Sequence, residues 1–390
     1  MSELAKCKVA QYCGGCQLQH LSYQQQLQLK QKKMDELFKK IHAVNPIIGM
    51  EDPYRYRNKV QVAFGYDRGR VLCGNYVVST HKIVDVKDCM LADERAQKII
   101  NTIKKMAVSF KLSIFNEDTY KGFLRHVLVR TAKEQIMVVI VTGTPIFPKK
   151  KDFINVLLEK HPEITTIVQC VNNKHTSMVL SDNCTTLYGK GYIEDQLCGK
   201  TFRLSANSFY QVNRYQTEVL YNTAIKMANI SKNDVVIDAY CGIGTIGMAV
   251  ADYAKEVIGV EINKQAIADA KINAKINNIE NISFVCADAG KFMQSLKRKI
   301  DVVIMDPARA GADEKFLQSL IRLKPKRIVY ISCNPLTQKD NLIHLQKNGY
   351  AVKQLQPVDM FPFTEHVETV CLLALRNPVK HVNIDVDVES

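Results

Sequence analysis

The stretch VYISCNP, from Val329 to Pro335, carries a cysteine to the tip of an apolar, strand-like segment that then stops at Asn-Pro. A thiolate in such a position is a nucleophile that can form a covalent bond with a substrate. The alternative is that Cys333 packs as a small hydrophobic residue, as buried cysteines commonly do. The neighbouring elements decide between these interpretations.

Three other apolar stretches end in carboxylates: Asp238 in VVIDAYCGIG, Glu261 in GVEIN and Asp306 in IMDPARAG. Short apolar runs that alternate with helical stretches predict an α/β fold with a doubly wound parallel sheet. The predicted strands are Val235 to Asp238, Val257 to Val260, Asp301 to Met305 and Arg327 to Ser332, with a helix over Lys264 to Asn277. Because such sheets bind ligands beyond the carboxyl ends of their strands, we expect the polar tips to face one crevice.

The loop after the first of these strands matches G-x-G-x-x-G at Gly242, Gly244 and Gly247. Glycines permit a tight turn and close backbone approach, and Glu261 on the next strand suits ribose hydroxyls. This pattern predicts an adenosine-containing cofactor. A nicotinamide dehydrogenase, or a tight turn without a ligand, would fit the same pattern.

A last strand is predicted in DMFPFTEHVETVCLLAL, with Glu368 at its start and an antiparallel partner around Tyr350 to Gln356. A carboxylate at a strand end is usually a solvated charge.

The 390-residue chain has a formal net charge of +14 and a pI of about 9.1, which favours a polyanionic partner such as nucleic acid. A lysine-rich composition without functional meaning is the alternative. No leader-like start or membrane-length apolar segment is found, so we expect a cytoplasmic protein with no membrane association.

Twelve cysteines in such a protein are unlikely to form disulfides, because cytosolic thiols are kept reduced. The spacing C-x5-C-x2-C, formed by Cys7, Cys13 and Cys16, indicates a metal site. Cys73 and Cys89 are the candidates for a fourth ligand. Four cysteines bind an iron–sulfur cluster or zinc, but structural zinc sites more often contain two paired C-x2-C units.

Four segments are predicted: a cluster-binding region at 1–90, a central α+β domain at 91–201, the doubly wound domain at 202–378, and a tail at 379–390. The basic, aromatic segment Tyr54 to Lys59, together with Arg125 and His126, is a candidate contact for an RNA backbone or bases. A solvated charged face is the alternative.

Six motifs together resemble the uridine-5 RNA methyltransferases that use S-adenosylmethionine: FYQVN, DAYCGIGTIG, GVEIN, DPARAG, SCNP and DMFPFTEHVE. CKVAQYCGGC extends the resemblance to the iron–sulfur branch that modifies 23S ribosomal RNA. The resemblance implies a Rossmann-like methyltransferase domain joined to a central RNA-binding domain. Many relatives carry a small β-barrel domain before the cluster cysteines, whereas here six residues precede Cys7.

By this resemblance Cys333 matches the nucleophile and Glu368 the base. The positions that hold the methyl donor match Gln211, Tyr240, Glu261 and Asp306, and a [4Fe–4S] cluster would be bound by Cys7, Cys13, Cys16 and Cys89. The implied reaction is methylation of carbon 5 of a uridine, with 23S ribosomal RNA as the expected substrate and no obligate protein partner.

Three other functions fit parts of the pattern. The same reaction on transfer RNA changes only the substrate. A nicotinamide-dependent iron–sulfur oxidoreductase would use the glycine loop, Glu261 and the cysteines, but it leaves SCNP and Glu368 without a role. A non-catalytic RNA-binding module would have no need for Cys333, Glu368 and Asp306 together.

Overall fold

The computed structural model describes residues 7–77, 80–176 and 178–376. These residues form two seven-stranded sheets, a two-stranded ribbon and the helices that cover them. No helix in these ranges combines the length and apolar character needed to cross a membrane.

The first sheet belongs to the N-terminal half and has the strand order β3-β2-β1-β4-β5-β6-β7. All of its neighbours pair antiparallel except β5 and β6, which are parallel. Its strands are β1 (Lys59–Asp67), β2 (Arg70–Tyr76), β3 (Ile83–Asp85), β4 (Leu124–Thr131), β5 (Ile136–Thr142), β6 (Ile164–Val171) and β7 (Cys184–Gly189). Helices α2 (Glu94–Ser109) and α3 (Lys150–Lys160) pack their apolar residues against it.

The boundary predicted between residues 90 and 91 runs through this sheet. Strand β1, from the predicted cluster-binding region, pairs with β4 of the predicted RNA-binding domain from Lys59 opposite Arg130 to Ala63 opposite His126. Strands that share hydrogen bonds and one hydrophobic core fold as a unit. The N-terminal strands and the central domain are therefore one structural body.

The second sheet is the predicted doubly wound sheet, with the strand order β12-β11-β10-β13-β14-β16-β15. Its strands are β10 (Val235–Ala239), β11 (Glu256–Glu261), β12 (Ile282–Cys286), β13 (Val302–Met305), β14 (Arg327–Ser332), β15 (Tyr350–Val358) and β16 (Glu368–Leu375). The order reverses at β10, and such a switch point opens a ligand crevice. This confirms the predicted α/β Rossmann-like fold.

Helices cover both faces of this sheet: α4 (Arg214–Ala228), α5 (Thr245–Ala251), α6 (Lys264–Ile276), α7 (Ala289–Ser295), α8 (Glu314–Leu323) and α9 (Pro335–Lys347). The predicted bounds of β14 agree with the structure, and the helix predicted over Lys264 to Asn277 ends one residue earlier. The ribbon of β8 (Tyr192–Leu197) and β9 (Lys200–Ser205) lies before this domain in the chain.

The N-terminal helix α1 (Tyr23–Phe38) packs on α9 and on the loop between β15 and β16, not on the first sheet. It begins with a capping box, in which Ser22 and Gln25 each accept a hydrogen bond from the other's backbone N–H. Lys30, only 1% exposed, donates to the fully buried Asp359 at 2.7 Å. Replacement of either partner of a buried ion pair leaves an unpaired charge in the protein interior, which strongly destabilises the fold.

Two expectations from sequence are corrected. The sequence predicts no disulfides, but Cys170 and Cys184 form one, because β6 and β7 place them opposite each other. By sequence, Arg125 and His126 are candidate RNA contacts, with a solvated charged face as the alternative, but both are only 4% exposed and fit neither interpretation. Arg125 donates to Glu117 and to the carbonyl oxygens of Asn172 and Lys174, so it holds the first sheet together.

Candidate active site

Strands β14 and β16 bring Cys333 and Glu368 to the same edge of the second sheet. Ser332 and Thr369 are directly paired across these antiparallel strands. Cys333 follows Ser332 and Glu368 precedes Thr369, so the two residues occupy the next facing positions. Side chains at such positions are close enough to interact. Glu368 is 3% exposed, whereas Cys333 is partly buried and opens onto a pocket.

The residues SCNP form the turn from β14 into α9. The backbone N–H of Asn334 donates to the Ser332 hydroxyl, and the Asn334 side chain accepts from the N–H of Leu336, which caps α9. Pro335 occupies the first turn of that helix, where a missing N–H costs nothing. The Asn-Pro stop therefore fixes the strand-to-helix turn that presents Cys333.

Burial perturbs the carboxyl groups at this edge. Burial raises the pKa of Glu368 to about 8, with a further contribution from the Asp306 carboxylate. Burial also raises the pKa of Asp306 and of Asp238 to about 7. The pKa of Glu368 is therefore close to neutral pH, which suits a group that exchanges a proton, and its ionised form is the one that can act as a general base.

The pKa of the Cys333 thiol is raised to about 11, first by burial and then by the Glu368 and Asp306 carboxylates. The guanidinium of Arg309 opposes this effect. Additional positive charge beside these carboxylates would lower the pKa of the thiol and favour the thiolate. Arg309, in the DPARAG motif, is a site residue that the sequence analysis did not single out, although a cation after a strand tip is a visible signal.

The pocket in front of Cys333, here called the Cys333 pocket, has a volume of about 440 Å³. It lies between the SCNP turn, helix α1 and the loop before β16. Three cations, Lys33, Arg309 and Lys339, line it together with the carboxylates of Glu36 and Glu365. His366 also lines it, and burial lowers the pKa of its imidazole. The pocket therefore combines the Cys333 thiol with a lining in which cations outnumber carboxylates.

The glycine loop lies at the tips of β10 and β11. Gly242 and Gly244 have φ values of 55° and 83°, a region that glycine adopts without strain. Glu261 accepts hydrogen bonds from the N–H groups of Gly242, at 3.2 Å, and Asn263, at 2.8 Å. Its carboxylate is thus held at the mouth of the crevice.

Tyr240 and Asp306 lie at the ends of the adjacent strands β10 and β13. Tyr240 has a φ of 65°, and its ring packs 5.4 Å from that of Phe316. Gln211 lies in the segment before α4, and its side chain makes no hydrogen bond to the described residues. The structure therefore brings three of the four predicted donor-binding residues to neighbouring strand ends, whereas Gln211 approaches from outside the sheet.

Asn213, the last residue of FYQVN, is a structural residue that the sequence analysis left without a role. It is fully buried, caps α4 by accepting from Gln216 N–H, and donates to the carbonyl of Met360 at 2.9 Å. It therefore ties the FYQVN segment to the loop that leads to Glu368. Asn before a helical pattern is the usual signal of such a cap.

The four predicted cluster ligands, Cys7, Cys13, Cys16 and Cys89, line one small cavity, here called the cysteine pocket. Burial raises the pKa of Cys16, and the thiols of Cys89 and Cys13 add to this increase. Across the residues that the structure describes, no three His, Cys, Asp or Glu side chains converge into a metal-binding group. The donor set fits a four-thiolate site, but the sulfur atoms do not have ligating geometry.

The cysteine pocket lies against the loop that leads to Glu368. Tyr56, Leu91 and Phe363 form a small buried cluster on which Cys16 and Cys89 pack. The loop is further held by hydrogen bonds from Leu18 N–H and the Tyr56 hydroxyl to the carbonyls of Phe363 and Pro362. The N-terminal segment therefore supports the loop that leads to Glu368 in the second domain.

Comparison with known proteins agrees with this arrangement. The family model described as tRNA (uracil-5-)-methyltransferase matches residues 22–376. An uncharacterized RNA methyltransferase from Halalkalibacterium halodurans is 43% identical over 383 residues, which cover 96% of this chain and 84% of that protein. One from Staphylococcus aureus is 44% identical over 381 residues, with coverage of 95% and 84%.

Among solved structures, the tRNA (uracil-54, C5)-methyltransferase of Pyrococcus abyssi, in complex with S-adenosyl-L-homocysteine, matches with a TM-score of 0.78. It is 29% identical, and the match covers 93% of this chain and 86% of that one. Both the fold and the family model extend across nearly the whole described chain. This protein therefore belongs to the tRNA (uracil-5-)-methyltransferase family and is an RNA methyltransferase.

Proposed function

We propose that this protein methylates carbon 5 of a uridine in RNA, with S-adenosylmethionine as the methyl donor, Cys333 as the nucleophile and Glu368 as the base. The observation that carries the proposal is the facing position of Cys333 and Glu368 at the sheet edge that also bears the glycine loop. Neither a dehydrogenase nor a simple RNA-binding module requires this pair.

Carbon 5 of uracil is a weak nucleophile, so the ring must first gain electron density. The Cys333 thiolate adds to carbon 6, and the ring π electrons move to oxygen 4 as an enolate. Carbon 5 then forms a bond to the methyl group as the carbon–sulfur bond of the donor breaks. Glu368 accepts the carbon 5 proton, the double bond reforms, and the thiolate leaves carbon 6.

The electrostatics of the site support these roles. S-adenosylmethionine supplies an electrophilic methyl group on a cationic sulfonium. The carboxylates of Asp306 and Glu368 raise the pKa of Cys333, and the positive charge of a donor bound beside them would offset this effect. Arg309 also lowers the pKa of Cys333. Formation of the reactive thiolate would then be coupled to donor binding, which limits reaction of the thiol in the absence of the donor.

The donor would bind across the strand ends of the second sheet. Glu261 is held by two backbone N–H groups and suits the ribose hydroxyls. Tyr240 and Asp306 flank it on adjacent strands, and Gln211 would close the crevice from the segment before α4. No proton transfer is required of these residues; their role is to orient the donor toward the Cys333 pocket.

The substrate class that we propose is ribosomal RNA, in accordance with the resemblance of CKVAQYCGGC to the 23S-modifying branch. The gathering of the four cysteines in one cavity supports this assignment. The similarity to the Pyrococcus abyssi transfer RNA enzyme favours transfer RNA as the second candidate.

We further propose that the cysteine pocket binds a [4Fe–4S] cluster through Cys7, Cys13, Cys16 and Cys89. The pocket contains four thiols and the positive Arg57, which suits an anionic thiolate-ligated group. Methyl transfer requires no electron, so the role of the cluster is structural, and its site adjoins the loop that leads to Glu368.

A covalent trapping experiment tests the function. Anaerobically purified protein is incubated with S-adenosylmethionine and with ribosomal or transfer RNA that contains 5-fluorouridine. Because fluorine cannot leave carbon 5 as a proton, the enzyme remains attached to its substrate. A denaturant-resistant complex with one RNA pool supports the mechanism and identifies the substrate class. No complex with either pool, in protein that binds the donor, would contradict the assignment of Cys333.

A further inference from the structure

The substrate of this enzyme is a polyanion, but the basic residues first considered as RNA contacts are engaged within the protein. Arg125 and His126 are buried in the first sheet, and Tyr56 is 2% exposed. Arg55 is paired with Asp88 at 2.8 Å. These side chains therefore offer little free positive charge to RNA.

A basic groove of about 710 Å³ runs between the C-terminal ends of α1 and α9. We call this cavity the α1–α9 groove. Five cations line it: Lys39, Lys40, Lys339, Lys347 and Arg376. Lys39, Lys40, Lys347 and Arg376 are exposed, and Lys339 is half-buried. The apolar floor includes Leu37, Ile41 and Ile343.

The α1–α9 groove continues into the Cys333 pocket. Glu36, Leu37 and Lys339 line both cavities, so a chain that leaves the Cys333 pocket past Lys339 enters the groove directly. Lys33 and Arg309 extend the positive charge on the pocket side. The result is one basic track that leads to the nucleophile.

The positive charge of the groove is not used within the described structure. None of its five cations forms an ion pair with the residues described, and Glu36 is the one carboxylate of this lining. Cations also stabilise helix C-termini, but each terminus carries only about half an elementary charge. Two termini therefore account for about one charge, and most of the groove's charge remains for a ligand.

We propose that the α1–α9 groove binds the phosphate backbone of the RNA that flanks the target uridine. The proposal rests on the proposed function, since it takes the occupant of the Cys333 pocket to be a uridine of RNA. Lysines bind phosphates as point charges without reading base identity, so the groove holds and orients the strand while the pocket selects the base. The target uridine must leave its stack to reach Cys333, and backbone contacts beside the pocket hold the opened strand.

Neutralisation of lysines inside and outside the groove tests the proposal. The groove variant carries Lys39→Gln, Lys40→Gln and Lys347→Gln; Lys339 is left intact because it also lines the Cys333 pocket. The matched control carries Lys98→Gln, Lys105→Gln and Lys151→Gln, which are equally exposed and lie on α2 and α3. Both variants lose the same charge. Thermal melting establishes that each is folded.

Binding of fluorescein-labelled oligouridine of about 20 nucleotides is measured as a function of salt. We expect the groove variant to lose roughly tenfold in affinity near physiological salt, and the slope of log affinity against log salt to fall by about 2. The control should retain the affinity and slope of the wild type. Equal losses in the two variants would show an effect of net charge alone and would overturn the proposal, as would an unchanged groove variant.

Two further measurements separate this proposal from the proposed function. With saturating RNA, the groove variant should methylate at close to the wild-type kcat, because the catalytic residues are untouched. Photocrosslinking with 4-thiouridine RNA should give adducts in peptides from α1 and α9; adducts confined to the first sheet would contradict the groove. If the wild type binds RNA and crosslinks through the groove but never methylates uridine, RNA binding by the groove is supported and the proposed function is wrong.

Discussion

Cys333 and Glu368 occupy facing positions on two antiparallel strands, one position beyond the paired residues Ser332 and Thr369. This arrangement depends on β16 inserting between β14 and β15. It holds Cys333 and Glu368 at a sheet edge, and such fixed placement would favour their proposed roles as nucleophile and base.

Replacement of the nucleophile should separate binding from chemistry. We expect Cys333→Ala to abolish both the covalent complex with 5-fluorouridine RNA and methylation, because no other group can add to carbon 6. RNA affinity should change little. Cys198→Ala, at a partly buried cysteine in the turn between β8 and β9, is the matched control. An alanine variant at Cys333 that methylates at near the wild-type rate would rule out this nucleophile.

Replacement of the base should stop the reaction later. We expect Glu368→Gln to form the covalent adduct with ordinary RNA but to release it slowly, with turnover reduced roughly 100- to 10,000-fold. The adduct can be quantified on denaturing gels. Glu159→Gln changes an exposed carboxylate on α3, away from the Cys333 pocket, and should turn over normally. Normal turnover of Glu368→Gln would mean that another group removes the proton.

The raised pKa of Glu368 also predicts a pH-dependent effect on stability. Because the folded state holds this proton up to about pH 8, whereas an unfolded glutamate loses it near pH 4.3, ionisation destabilises the folded state as pH rises between these values. Glu368→Gln lacks this penalty. We expect it to be more stable than the wild type by on the order of 5 kcal/mol near pH 8, and equally stable near pH 4.

Denaturant unfolding at several pH values measures this difference. A difference in unfolding free energy that does not grow with pH would show that Glu368 titrates like an exposed carboxyl group. Comparison of the two proteins at each pH cancels the contributions of the other titrating residues.

The buried pair of Lys30 and Asp359 should be important for stability. Lys30→Met leaves the Asp359 carboxylate buried without its cation, which should cost about 3–5 kcal/mol. The double variant Lys30→Met, Asp359→Leu removes both charges and should recover much of this loss. Lys32→Met, at an exposed position of the same helix, should be nearly neutral. Urea unfolding of the four proteins measures the effect, and equal stabilities would contradict it.

The cysteine pocket predicts a specific loss of iron. Cys16→Ser should lower iron and sulfide content and visible absorbance, since a cluster needs its thiolate ligands. It should also lower the melting temperature, because Cys16 packs on the buried cluster of Tyr56, Leu91 and Phe363. Cys286→Ser should retain the iron content of the wild type. Colourless wild-type protein that contains zinc after anaerobic purification would contradict the proposed cluster.

Several features followed from the amino-acid sequence alone. The strands β10, β11, β13 and β14 and the glycine loop were predictable because apolar runs, helical periodicity and turn-forming residues are local signals. The polar strand tips could be placed in one crevice because parallel strands end at the same edge. Cys333 was therefore a sound candidate before its surroundings were known.

Other features required the tertiary structure, because they depend on contacts between distant segments. The position of Glu368 opposite Cys333 comes from the pairing of β16 with β14, and the docking of α1 comes from Lys30 meeting Asp359. The sequence also presented Arg125 as a free cation, whereas the fold buries it beside Glu117. Local patterns determined which elements form; long-range pairing and burial decided which side chains meet and which charges remain available for RNA.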